Sequence, residues 1–133
     1  MKKNFIFGIM LSFCLTLTGC GNKDVEFKAF TADFEKTTND MIAKVDANPT
    51  EEGVSAAQAV LDGKKNELKT KWAGIKDARG VQVSQDVQKE FETAMTRSTE
   101  KVTGAVAKIN DPEAMTKYQT LIKDWGDIID AGK

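Results

Sequence analysis

Pro112-Glu113-Ala114-Met115-Thr116-Lys117-Tyr118-Gln119-Thr120-Leu121-Ile122-Lys123-Asp124-Trp125-Gly126-Asp127-Ile128-Ile129-Asp130 is the stretch on which the fold turns. Met115, Tyr118, Leu121, Ile122, Trp125, Ile128 and Ile129 recur at the spacing of one apolar helix face, without the alternation of a half-buried strand. Asp111 stands where a helix N-cap is needed, and Pro112 falls at the first helical position, where its missing N–H costs nothing. These signals predict a helix over 112–131.

The same period recurs toward the N-terminus. Val83, Val87, Phe91, Met95, Val102, Val106 and Ile109 form one stripe, predicting a helix over 83–109. Val54, Val60, Leu61, Leu68, Trp72 and Ile75 predict another over 51–79. Phe27, Phe30, Phe34, Met41 and Val45 predict a fourth over 24–47. Thr50 is the expected N-cap of the 51–79 helix, whose first turn holds Glu51 and Glu52 against the positive end of the helix dipole. Gly80 is its expected C-terminal stop. Gly53, Gly63, Gly74, Gly104 and Gly126 lie inside predicted helices, where each costs up to ~1 kcal/mol relative to Ala. With three of them, the 51–79 helix is expected to kink or split near Asp62-Gly63.

Short turns between long amphipathic helices predict an all-α, up-down-up-down four-helix bundle over residues 24–133. Ala43-Lys44-Val45-Asp46-Ala47-Asn48-Pro49 echoes Ala107-Lys108-Ile109-Asn110-Asp111-Pro112, which suggests two stacked hairpins. The large apolar residues are few, with alanine and threonine between them, so stability toward the low end of ~5–15 kcal/mol is expected.

Upstream, Met1-Lys2-Lys3 is a short positive segment, followed by the apolar run Phe5–Leu17. That run has the length of a secretory signal core and falls short of the ~20 residues of a membrane-spanning helix. It ends in Leu17-Thr18-Gly19-Cys20. The segment resembles a bacterial lipobox: an aliphatic residue, a small residue, Gly or Ala, then Cys. The resemblance implies that residues 1–19 are a cleaved lipoprotein signal peptide. It also implies that Cys20 receives an S-linked diacylglycerol and an N-acyl chain, and that 20–23 form a lipidated tether. Gly21 follows the cysteine in place of the Asp linked to inner-membrane retention, which implies the outer membrane if there is one.

Cleavage would remove Lys2, Lys3 and Cys14. The remaining chain would be weakly acidic, which argues against nucleic acid as a partner. With Cys20 consumed by lipid, no disulfide is available despite an exported location.

The 133-residue sequence contains no histidine, which removes the commonest general base and the usual zinc and haem ligand. Helix number and length are similar to those of haem-binding four-helix cytochromes, but the haem-holding histidine is missing. Met41, Met95 and Met115 lie on the apolar stripes and read as core fillers. No phosphate loop or nucleophile motif is present, so neither a cofactor nor catalysis is expected.

Two charged sets remain. Asp124, Asp127 and Asp130, three apart, are a candidate face for a weakly held cation or a basic partner, or simply a solvated surface. Lys76 and Arg79, with Trp72 and Trp125, are candidate membrane-facing residues, because antiparallel packing returns them to the tether end, where basic and aromatic groups suit lipid headgroups. The loops 48–52 and 110–113 would then stand farthest from the membrane. Two functions fit. One is a non-catalytic module binding an envelope protein, similar in size and anchoring to secretin pilotins, chaperone-like stress proteins or inhibitors. The other is a small-ligand or cation carrier. The first calls for an exposed apolar patch of several hundred Å², the second for a polar-lined internal cavity.

Overall fold

The computed structural model describes residues 22–78 and 82–130. It contains α1 (Asp24–Ala47), α2 (Glu51–Ile75), α3 (Gln85–Ala105), a 3-10 turn (Val106–Lys108) and α4 (Pro112–Asp130). The protein is an all-α four-helix bundle. Helix ends match their chemistry. Ser84 caps α3 by accepting from the Val87 N–H, and Asp111 caps α4 by accepting from the N–H groups of Glu113 and Ala114. Thr50 occupies the N-cap of α2 as expected but makes no side-chain cap bond. Its hydroxyl donates instead to Asn48 Oδ1.

α2 is unbroken at Gly63 and ends at Ile75, earlier than the sequence suggests. The Ala78 N–H bonds the Ile75 carbonyl in a tight turn that buries both residues. Ending the helix there places Ala78 in the core, where a further helical turn would carry the chain past it. The expected stop Gly80 lies outside the described residues.

Neighbour order differs from a simple ring of consecutive helices. α1 packs against α2 and α3, and α2 packs against α4. Across the α1–α3 seam, Asp24 meets Ser84, Glu35 meets Arg97, Asn39 meets Lys101 and Asp46 meets Lys108. Partners advance together, so the two helices run parallel. Glu51–Lys117, Gln58–Asp124 and Trp72–Ile129 give the same sense for α2 and α4. Between α1 and α2, Phe30 meets Trp72 and Asp33 meets Lys71, the antiparallel sense. Two helical hairpins therefore lie side by side, with like helices as neighbours. The α1–α3 seam is also a row of opposite charges and amides. Each exposed pair adds little energy, but the row disfavours any other register.

The core is continuous. Phe30, Phe34, Met41, Leu61, Leu68, Tyr118, Leu121 and Ile128 are buried at its centre. Met95 and Met115 pack partly buried against it, as their stripe positions predict. Rings run along the interior: Phe27 meets Phe91 edge-on at 5.7 Å, Phe91 stacks on Trp72, Trp72 meets Phe30, and Phe34 meets Trp125 at 5.3 Å. Most buried polar side chains are paired within the bundle. Trp125 Nε1 donates to Thr38 Oγ1, which donates to the Phe34 carbonyl. Tyr118 donates to the Val102 carbonyl, and burial pushes its hydroxyl pKa up to about 12. Among the described residues, Ser98 Oγ is buried without a partner.

The helix-interior glycines divide sharply. A Cβ at Gly53 would stand 1.6 Å from the Asn48 carbonyl oxygen, so the first turn of α2 closes against the incoming loop only with glycine. At Gly63, Gly74, Gly104 and Gly126 a Cβ would meet nothing within 4 Å. In urea melts, Gly53→Ala is expected to lose roughly 1–3 kcal/mol. Each of the other four Gly→Ala changes is expected to gain up to ~1 kcal/mol. Destabilisation by all five would refute the packing described.

Candidate functional site

One end of the bundle gathers the start of α1, the end of α2, the start of α3 and the end of α4. The Lys23 N–H donates to the Gln82 carbonyl at 2.8 Å, and the Ser84 N–H donates to Asp24 Oδ1 at 2.8 Å. The first described residues are thus fastened to the opposite hairpin. This end also contains a recess of about 280 Å³ between α1, α2 and α3, lined by Phe27, Trp72, Lys76, Ala78, Gln88, Phe91 and Glu92. It arises because α2 and α3 are not close neighbours, so the aromatic edges between them are left partly open. Gln88 is held by donating to the Val83 carbonyl.

The candidate membrane-facing set is divided by the structure. Trp72 and Trp125 are core residues, each only 8% exposed. Their N–H groups are taken by the Ile129 carbonyl and by Thr38, so neither indole N–H is free for a headgroup, contrary to the sequence expectation, and Trp72 shows only part of its ring, to the recess. The physical reason is the apolar stripe itself, which carries both rings inward. Lys76 lies at this same end of the bundle, on the rim of the recess. Arg79 and Cys20 lie outside the described residues, as does the signal segment.

The acidic triplet does not form one open face. Asp124 turns toward α2, where Lys65 Nζ stands 3.2 Å away and Gln58 Nε2 donates at 3.0 Å. Burial pushes its carboxyl pKa up, but these hydrogen bonds outweigh burial and hold it below the usual value. Asp127 pairs with Lys123 at 3.0 Å, one turn away, and Asp130 is the last described residue of α4. A three-residue step winds around the helix, so the three carboxylates diverge. No group of three potential metal ligands occurs among the described residues.

Apolar exposure is similarly sparse. Val25, 78% exposed, is the single exposed large hydrophobic residue among those described, so the apolar docking patch envisaged for a partner-binding bundle is not displayed there. Shallow grooves follow the helix seams. One, about 470 Å³ between α1 and α3, is lined chiefly by Asn39, Asp46, Glu100, Lys101 and Lys108. No described helix is long and apolar enough to cross a membrane. Comparison with protein-family models, with curated proteins and with solved structures gives no match to the chain.

The Asp24 clamp titrates. Its carboxyl is held below the ordinary value of 3.8 by the Ser84 N–H and hydroxyl, with Lys28 adding to the effect. A carboxyl lowered in the folded state contributes stability above its ordinary value and loses it as pH falls through the folded one. Asp24→Asn is expected to melt below wild type at neutral pH. The difference should close as pH drops below 3.8. A pH-independent difference would mean that the charge has no part in the clamp.

Proposed function

We propose that the chain is a non-catalytic bacterial lipoprotein. Cys20 carries the lipid, and the bundle presents its far loops, 48–50 and 109–111, to a protein partner in the cell envelope. The signal and lipobox pattern supports the anchor. The clamp of Lys23 and Asp24 onto Gln82 and Ser84 is the observation that carries the rest. Only Gly21 and Asn22 separate the lipidated cysteine from a residue fixed to the bundle. A short tether on a stiff body favours a set orientation over free tumbling. α1, 24 residues long, then spaces the far loops about 36 Å from the tether end. Gly21 after the cysteine favours the outer membrane where two membranes exist.

The far end carries ion pairs: Asp46 pairs with Lys108, and Glu51 pairs with Lys117 on the wall of a mainly apolar recess of about 380 Å³ that also includes Pro112, Glu113 and Thr116. A partner read by these groups would be held by charges and hydrogen bonds, so its association should weaken with salt.

Two measurements test this reading. Cys20→Ser should accumulate as an uncut precursor that takes up no fatty-acid label, because a hydroxyl is a far weaker nucleophile than a thiolate. Processing and labelling of the serine variant would refute the anchor. A photocrosslinking residue at Thr50 or Asn110 should capture one common envelope protein in the cells of origin, with the yield falling at high salt. The same residue at Ala32, midway along α1, should not. Equal capture from all three positions, or capture from none, would refute the far-end site.

A further inference from the structure

The recess at the tether end has features that the adaptor reading leaves unused. Its floor is aromatic, formed by Phe27, Trp72 and Phe91, with the Trp72 and Phe91 rings stacked at 5.7 Å. Its rim holds one ammonium, Lys76, and one carboxylate, Glu92. Neither side chain has an ion-pair or hydrogen-bonding partner among the described residues. Most other charges that line inter-helix grooves are paired, such as Asp33 with Lys71, Asp46 with Lys108 and Lys117 with Glu51. Two opposite charges left over at a single aromatic opening form a pattern that a ligand can complete.

We propose that this recess binds the headgroup of a zwitterionic phospholipid from the tethering membrane. Its phosphate would meet Lys76, its ammonium would meet Glu92, and its first methylenes would lie over the aromatic floor. This deepens the lipoprotein reading and rests on it for the source of the lipid.

Three observations select this occupant. The volume, about 280 Å³, suits a headgroup with a short piece of chain and is small for a drug-sized ligand. The rim charges oppose one another, which suits a dipolar group better than a simple anion. The same end bears charges of both signs, with Lys23, Lys28 and Lys89 set among Glu26, Asp86 and Glu90, a mixed surround that gives anionic lipid no special pull. Position agrees with chemistry. Phe27 lies one helical turn from Lys23, and Val25, exposed on that first turn, offers an apolar side chain to the headgroup layer.

The test uses the full chain purified from its producing cells and reconstituted in phosphatidylglycerol vesicles containing a minor fraction of phosphatidylethanolamine. Bromine is placed near the headgroup on the chains of one lipid or the other at equal mole fraction, and tryptophan quenching is read. Trp72 forms a wall of the recess, while Trp125 lies deeper and supplies the same background in every sample. Brominated phosphatidylethanolamine is expected to quench in excess of brominated phosphatidylglycerol. Lys76→Glu and Glu92→Lys should each abolish that excess. The double exchange Lys76→Glu/Glu92→Lys should restore it with the headgroup reversed. Equal quenching by the two lipids, or an excess that survives both single reversals, would overturn the proposal. Flotation with the vesicles reads the anchor separately. If the chain does not float, the anchor reading falls, and the same proteins are titrated with soluble short-chain forms of the two lipids, where the same preference supports the recess and its absence overturns it.

Discussion

Burying two indoles in a small bundle imposes a strict condition, because each N–H must find an acceptor away from water or lose several kcal/mol of solvation. Trp72 meets it with the Ile129 carbonyl, which ties α2 to the last turn of α4. Trp125 meets it with Thr38, which ties α4 to the middle of α1 and passes the bond on to the Phe34 carbonyl. These bonds join helices that are far apart in sequence, and they fix the axial position of α4 against the hairpin of α1 and α2. Phe27, Phe30, Phe34 and Phe91 fill the remaining space around the two indoles. Register at the surface, set by Glu35–Arg97 and Asp46–Lys108, agrees with register in the interior. This consistency across levels allows a core with few large residues to specify one packing.

Helix number, type and approximate extent are legible from periodicity, because each apolar stripe has to face a common interior. The cap at Asp111 is legible too, since its side chain and Pro112 answer the same demand for unpaired N–H groups. The order of neighbours is harder to read. Turn chemistry fixes which helices form hairpins, but which hairpin faces meet depends on cross-chain complementarity such as Asn39 with Lys101. The segments 43–49 and 107–112, which echo one another in sequence, lie at the same end of these parallel neighbours. Gly53 shows a different limit. By composition it is one more helix-weakening residue. Only the position of the Asn48 carbonyl distinguishes it from Gly63 or Gly126.

The candidate sites were less legible. Tryptophan near a basic cluster suggests an interfacial residue, but a tryptophan on an apolar stripe is also a core residue, and here the stripe decides. The acidic triplet looked continuous because a spacing of three in sequence resembles alignment, whereas rotation about α4 sends Asp124 to Lys65 and Asp127 to Lys123. The recess beside Trp72 left no motif at all. Its walls come from three helices, and it exists because α2 and α3 stand apart, a property of neighbour order that no single stripe encodes.

The clamp at residues 23 and 24 has a mechanical side. A pull delivered through the N-terminus enters α1 along its axis, and α1 is the helix flanked by both α2 and α3. The load is therefore spread in shear across two long seams, and the bonds to Gln82 and Ser84 must slip together before the helix can slide. A pull delivered through the end of α4 meets a helix whose main backbone flank is α2, with single side-chain bonds from Trp125 to α1 and from Tyr118 to α3, which invites peeling from one side. The bundle is thus anisotropic: firm when hauled from the end where it would be moored, and softer when tugged from the other terminus.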